Sequence, residues 1–135
     1  MDACDISDTE VEPQPLWEYP CQAAALPKPV MTFDLTKEAN DHVSETIFDN
    51  LLPSIKKRGS GMAFWMDWHL TDTIITSTGP AANVQVGQYV QWNMHHKQGV
   101  HFFVEKNENV DLERIQVVTT FKANDGDISF QFNLD

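Results

Sequence analysis

Large apolar and polar side chains alternate along much of the chain after residue 30. The clearest stretch runs from 62 to 70, where every second residue is large and apolar: Met62, Phe64, Met66, Trp68 and Leu70. A period of two is typical of a strand with one buried face. The stretch therefore predicts one continuous strand with Trp68 in the core and with Trp65 and Asp67 on the outer face.

Two further alternating stretches predict a hairpin near the C-terminal end of the sequence. Their inward sets are Ile115, Val117, Thr119 and Phe121, then Ile128, Phe130, Phe132 and Leu134. Asn124-Asp125-Gly126 lies between the two stretches. Glycine accepts the positive φ angle of tight turns, so this tripeptide predicts the connection.

Weaker alternation predicts additional strands. They cover residues 31–35, 52–57, 84–92 and 100–104. In 84–92 the inward residues are Val84, Val86, Val90 and Trp92, and in 100–104 they are Val100, Phe102 and Val104. Residues 37–51 fit either an amphipathic helix or an extended segment, and both remain open. About seven short strands separated by turns predict an all-β fold, an antiparallel barrel or sandwich.

The acidic residues are concentrated at the start of the sequence. The formal net charge is −11, and residues 1–20 contribute six of the twenty acidic residues and none of the nine basic ones. We therefore expect a disordered acidic lead-in at 1–15 and a folded domain at 16–135. The charge disfavours binding to nucleic acid or to anionic membranes, both of which need a basic face, and permits basic partners.

The two cysteines, Cys4 and Cys21, do not form a disulfide framework and favour reduced thiols in a cytoplasmic or nuclear protein. Five histidines raise the possibility of a metal site: His42, His69, His95, His96 and His101. On a straight strand, the adjacent side chains of His95 and His96 would point to opposite faces. This favours the interpretation that the two histidines are polar residues at a loop-to-strand junction. A cupin-like metal enzyme using these histidines with Glu105 stays as a minor alternative. We predict no metal.

Trp17 and Trp65 are candidate contact residues, together with Asp67. Trp17 stands beside Tyr19 and Pro20, a combination that favours an extended segment docked on another surface. Trp65 lies outward on a strand whose inner face is already filled. Its cover is therefore either the chain's own loops and N-terminal segment or another domain.

Several ordered blocks resemble the last β-barrel of tandem-module protein arginine methyltransferases. The blocks are Leu16-Trp17-Glu18-Tyr19-Pro20-Cys21, Met31 to Leu35, Met62 to Leu70, Trp92 to Phe103 and the turn Asp125 to Ile128. In the family, a Thr-His-Trp-Lys-Gln loop is the barrel's part of the active site. His95, Lys97 and Gln98 match this loop, whereas Met94 replaces its Thr and His96 its Trp.

The resemblance implies the C-terminal barrel of the second, degenerate module of a type III, monomethylating enzyme. Such an enzyme transfers a methyl group from S-adenosylmethionine to arginine in histone and arginine-glycine-rich proteins. His95, His96, Lys97 and Gln98 would then be remnants of the substrate loop.

The family's glycine-rich cofactor motif and its double-glutamate loop do not occur in this sequence. We therefore expect no catalytic residue and no bound cofactor in this fragment. Its implied partners are a Rossmann-like domain and a first module of the same polypeptide. The rival hypothesis is a stand-alone acidic β-barrel that binds a basic peptide and has no enzymatic role.

Overall fold

The computed structural model describes residues 10–52, 61–103 and 113–134, and within these ranges the secondary structure is almost entirely β. The strands are β1 (Glu12–Gln14), β2 (His42–Phe48), β3 (Gly61–Phe64), β4 (Asp67–His69), β5 (Ile75–Ser77), β6 (Gln98–Phe102), β7 (Ile115–Lys122) and β8 (Asp127–Leu134). One 3-10 turn, Leu16–Glu18, follows β1. The described ranges contain no helix that could cross a membrane. The all-β prediction is confirmed.

The strands form three antiparallel sheets. The first has the order β1-β6-β3, the second β2-β7-β8, and the third is the hairpin β4-β5. No closed ring of strands is formed by the described residues. The predicted antiparallel pairing of the strands is thus confirmed, whereas closure into a barrel is not seen among the described residues.

The hairpin predicted near the C-terminal end is present as β7 and β8. Residues 123–126 connect the strands, and Gly126 adopts a φ angle of 68° there. Ile115, Val117 and Thr119 are buried as their alternation predicts, whereas Ile128 and Leu134 near the ends of β8 are exposed. The pattern identifies this hairpin well because only one of its faces is covered.

Residues 42–48 form a strand, which settles the choice between helix and extended chain. β2 pairs in register with β7 from His42 opposite Phe121 to Phe48 opposite Ile115. Thr46 and Phe48 are buried while the alternating Val43 and Ile47 are exposed. Branched side chains such as these suit the pleated surface better than a helix.

The prediction of one strand over 62–70 is wrong. β3 ends at Phe64 and β4 begins at Asp67 in a different sheet. Between them, the Met66 backbone bonds with Thr78: Thr78 N donates to Met66 O at 3.0 Å, and Met66 N donates to Thr78 Oγ1 at 3.0 Å. Because the chain changes sheets there, residues of one parity no longer share a core. Met66, Trp68 and Leu70 are exposed.

β3 and β6 have packed side chains on both faces: those of β3 are partly buried, and β6 buries Val100 on one face and His101 on the other. Val100 and Ala63 belong to the first core cluster, with Leu16 and Trp92, while Met62 and Phe64 pack on the second, formed by Phe48, Ile115 and Val117. The ring of His101 stacks on Phe132 at a centroid distance of 4.1 Å. Phe102, predicted inward with Val100, is instead exposed.

Other predictions change in detail or lie outside the described residues. The stretch 84–92 forms no continuous strand: Tyr89 and Trp92 make isolated bridges, and Val86 is exposed. Residues 12–14, placed in the disordered lead-in, form β1 against β6, because the free edge of β6 accepts their backbone hydrogen bonds. Cys4, residues 53–57, Val104 and Glu105 lie outside the described ranges.

Candidate functional site

The loop at residues 93–97, which connects to the start of β6, is held by its backbone and by one asparagine. The backbone N–H of Asn93 donates to Gly79 O at 3.0 Å, and Asn93 Oδ1 accepts the N–H of His95 at 3.1 Å. An asparagine side chain that accepts a backbone N–H two residues later stabilises a tight turn. Met94, His95, His96 and Lys97 all remain exposed.

Gln98, the last residue of the predicted loop remnant, lies in the interior. Its side chain is 1% exposed. Nε2 donates to Thr78 O at 2.7 Å and to His96 O at 2.9 Å, and Oε1 accepts the N–H of Leu16 at 3.3 Å. The four residues of the predicted remnant therefore separate into an exposed set of three and a buried anchor.

The metal-site alternative combines the histidines with Glu105, which lies outside the described ranges. Within the described ranges, no three histidine, cysteine or carboxylate side chains are grouped as metal ligands. His95 and His96 are exposed, whereas His101 is buried and its Nδ1 lies 2.7 Å from Glu10 O. The imidazole of His101 is thus used in packing and in fixing the segment before β1.

Trp17 and Trp65, predicted as contact residues, both pack on the first core cluster of this chain. The rings of Trp65 and Trp92 meet edge to face with a centroid separation of 5.6 Å. The chain's own residues therefore bury Trp65 in part, and a further contact of Trp65 with another domain stays a prediction. Asp67 is exposed at the first position of β4.

A cysteine contact completes this cluster. The indole Nε1 of Trp92 donates to Cys21 Sγ at 3.1 Å, and Cys21 is a free thiol. A buried indole N–H normally has a hydrogen-bond partner, and here the sulfur serves as a weak acceptor. Cys21 therefore has a structural contact in this cluster.

An exposed apolar surface on the hairpin β4-β5 escaped the sequence reasoning. We call it the apolar ribbon, and it consists of Met66, Trp68, Leu70 and Ile74, all exposed. Ile75 is exposed as well, but it is paired with His69 and lies on the opposite face of the hairpin from Trp68. The turn of the hairpin is built by Thr71, whose Oγ1 accepts the N–H of Ile74 at 3.0 Å. Contiguous exposed apolar side chains often mark a contact with another protein surface. The alternation of apolar side chains is visible in the sequence, but it predicts a core face and not an exposed one.

A second polar turn lies at residues 34–37. Thr36 donates to Asp34 Oδ1 from its hydroxyl at 2.6 Å and from its backbone N–H at 3.0 Å. These bonds favour the ionised carboxylate and lower the pKa of Asp34 below its usual range, with a smaller contribution from Lys37. The turn is exposed, and its hydrogen bonds fix the local shape of the backbone.

Comparison with known proteins shows which proteins this chain is similar to. No family model matches the chain. Protein arginine N-methyltransferase 7 of Danio rerio is 39% identical over 128 residues, a match that covers 93% of this chain and 18% of the relative. The chain is homologous to one segment of protein arginine N-methyltransferase 7.

Relatives from other animals give the same result. Protein arginine N-methyltransferase 7 of Gallus gallus is 36% identical over 130 residues, covering 93% of the chain and 19% of that protein. The Drosophila melanogaster protein is 35% identical over 126 residues, covering 90% and 18%. The chain thus spans less than one fifth of the length of these curated relatives.

Proposed function

We propose that this chain is the C-terminal barrel of the second module of a methyltransferase similar to protein arginine N-methyltransferase 7, where it supports the catalytic parts. The three antiparallel sheets would close into a barrel in the complete protein. The whole enzyme would transfer a methyl group from S-adenosylmethionine to arginine in basic substrates such as histones and arginine-glycine-rich proteins.

The observation that carries the proposal is the exposed apolar ribbon. The chain that bears it matches less than one fifth of the length of its relatives. A two-stranded hairpin is only marginally stable by itself and gains from packing on a further surface. Among the described strands, β4 and β5 make their main contacts with each other. We assign the ribbon to packing on the remaining domains, namely the Rossmann-like domain and the first module.

The composition of the exposed loop at residues 93–97 favours a structural role for this chain over a catalytic one. His95, His96 and Lys97 provide imidazoles and an ammonium group, and the loop contains no carboxylate. Orienting a guanidinium for methyl transfer requires acidic groups that hydrogen-bond it. In this proposal the double-glutamate loop and the S-adenosylmethionine site are contributed by other parts of the full-length protein.

The compartment follows from the same proposal. Reduced Cys21, with Trp92 as its neighbour, fits the reducing cytoplasm and nucleus. We therefore assign the full-length protein to these compartments.

Calorimetric titration of the purified 135-residue chain with S-adenosylmethionine tests the division of roles. We expect no heat of binding from the chain. The full-length Danio rerio relative, titrated under the same conditions, serves as the positive control. Binding to the chain with a micromolar dissociation constant would contradict a purely supporting role.

A further inference from the structure

The side chain of Gln98 joins three segments that are far apart in the sequence. It reaches the 3-10 turn through Leu16, the end of the hairpin β4-β5 through Thr78, and the loop at residues 93–97 through His96. An amide offers two N–H donors and one carbonyl acceptor. In Gln98 both donors and the acceptor are used inside the protein.

The hydrogen bonds also fix the orientation of the amide. Nε2 faces two carbonyl oxygens, Thr78 O at 2.7 Å and His96 O at 2.9 Å. Reversing the amide would place Oε1 against both oxygens and Nε2 against the Leu16 N–H. The arrangement therefore accepts glutamine in one orientation and disfavours a carboxylate of the same shape.

We propose that Gln98 is the positioning residue of the loop at residues 93–97. Its amide holds His96 O beside Thr78 O and so gives the loop one conformation in which His95, His96 and Lys97 face outward. Asn93 fixes the opposite end of the loop through Gly79 O and the His95 N–H. That this loop lies near a substrate rests on the proposed function, whereas the anchoring concerns the loop alone.

The anchor also ties the loop to the apolar ribbon. Thr78 follows β5 directly, and its backbone N–H donates to Met66 O across the open end of the hairpin. The carbonyl of the same threonine accepts from Gln98. The loop is therefore positioned relative to the surface that the proposed function assigns to domain packing.

Nitrogen-15 relaxation of the 135-residue chain tests the proposal with the variant Gln98→Glu. This change removes both donors, and it places a carboxylate against two carbonyl oxygens. We expect order parameters at residues 94–97 to fall from about 0.85 to below about 0.6, the range of flexible backbone. Those of residues 115–121 in β7 should stay unchanged. Gln131→Glu, at an exposed position of β8, is the matched control and should leave the loop rigid.

Two results would overturn the proposal. One is a loop that stays as rigid in Gln98→Glu as in the unchanged chain, and the other is an equal loss of order in the loop and in β7. If Gln98→Glu does not fold, Gln98→Met removes the same hydrogen bonds without adding charge and gives the same readout. Loss of the whole fold in both variants would assign Gln98 to general core stability and would also refute the proposal. Because only this chain is used, the result is independent of methyltransferase association.

Discussion

The indole ring of Trp65 lies directly against the backbone of Gly79. A Cβ at Gly79 would stand 2.4 Å from both Cδ1 and Cγ of that ring, well inside van der Waals contact. Gly79 also accepts the N–H of Asn93 at 3.0 Å, so its position is tied to the loop at residues 93–97. The absence of a side chain at residue 79 thus allows Trp65 to turn toward Trp92.

Gly79→Ala should therefore destabilise the chain, because a methyl group would force the indole or the backbone to move. The expected loss is about 1–3 kcal/mol in the free energy of unfolding, typical of an overpacked core. Urea denaturation followed by tryptophan fluorescence measures it. Ala82→Val adds a larger group at an exposed position and should change stability by less than about 0.5 kcal/mol. Equal stability of Gly79→Ala and the unchanged chain would show that the tryptophan contact is misplaced.

Trp68 and Trp92 should respond very differently to truncation. Trp68 is 41% exposed on the apolar ribbon, whereas Trp92 is 8% exposed and bonded to Cys21. Trp92→Ala should cost about 3–5 kcal/mol, the usual loss for a buried aromatic, and Trp68→Ala less than about 1 kcal/mol in the isolated chain. Denaturant unfolding compares the two variants directly. A larger loss for Trp68→Ala than for Trp92→Ala would restore the single-strand interpretation of residues 62–70.

Prediction from the sequence succeeds for strands that have one covered face and one uncovered face. β7 meets this condition, so the alternation of Ile115, Val117 and Thr119 identifies its buried face. β3 and β6 do not, since side chains of both parities are packed. A rule that assigns one inward face then misplaces Phe102, and the predicted strands 62–70 and 100–104 only overlap β3 and β6.

The candidate loop illustrates a different limit. Resemblance selects His95, His96, Lys97 and Gln98 together, because they are adjacent in the sequence. Only the three-dimensional structure separates Gln98 from the other three, since its partners Leu16 and Thr78 are 82 and 20 residues away. The exposure of the apolar ribbon is equally hidden, because an apolar strand side chain has the same pattern whether it faces a core or another domain.

Replacing the matched segment of Danio rerio protein arginine N-methyltransferase 7 with this chain tests the central claim most directly. Methyl transfer from S-adenosylmethionine to an arginine-glycine repeat peptide is measured for the chimera, for the same chimera carrying Trp68→Asp, and for a protein from which the segment is deleted. Our prediction is that the activity of the chimera lies within about tenfold of that of the natural enzyme, which corresponds to about 1.4 kcal/mol in the barrier, and that the other two proteins lose activity by more than about a hundredfold. A folded chimera as inactive as the deletion, or one unaffected by Trp68→Asp, would contradict it.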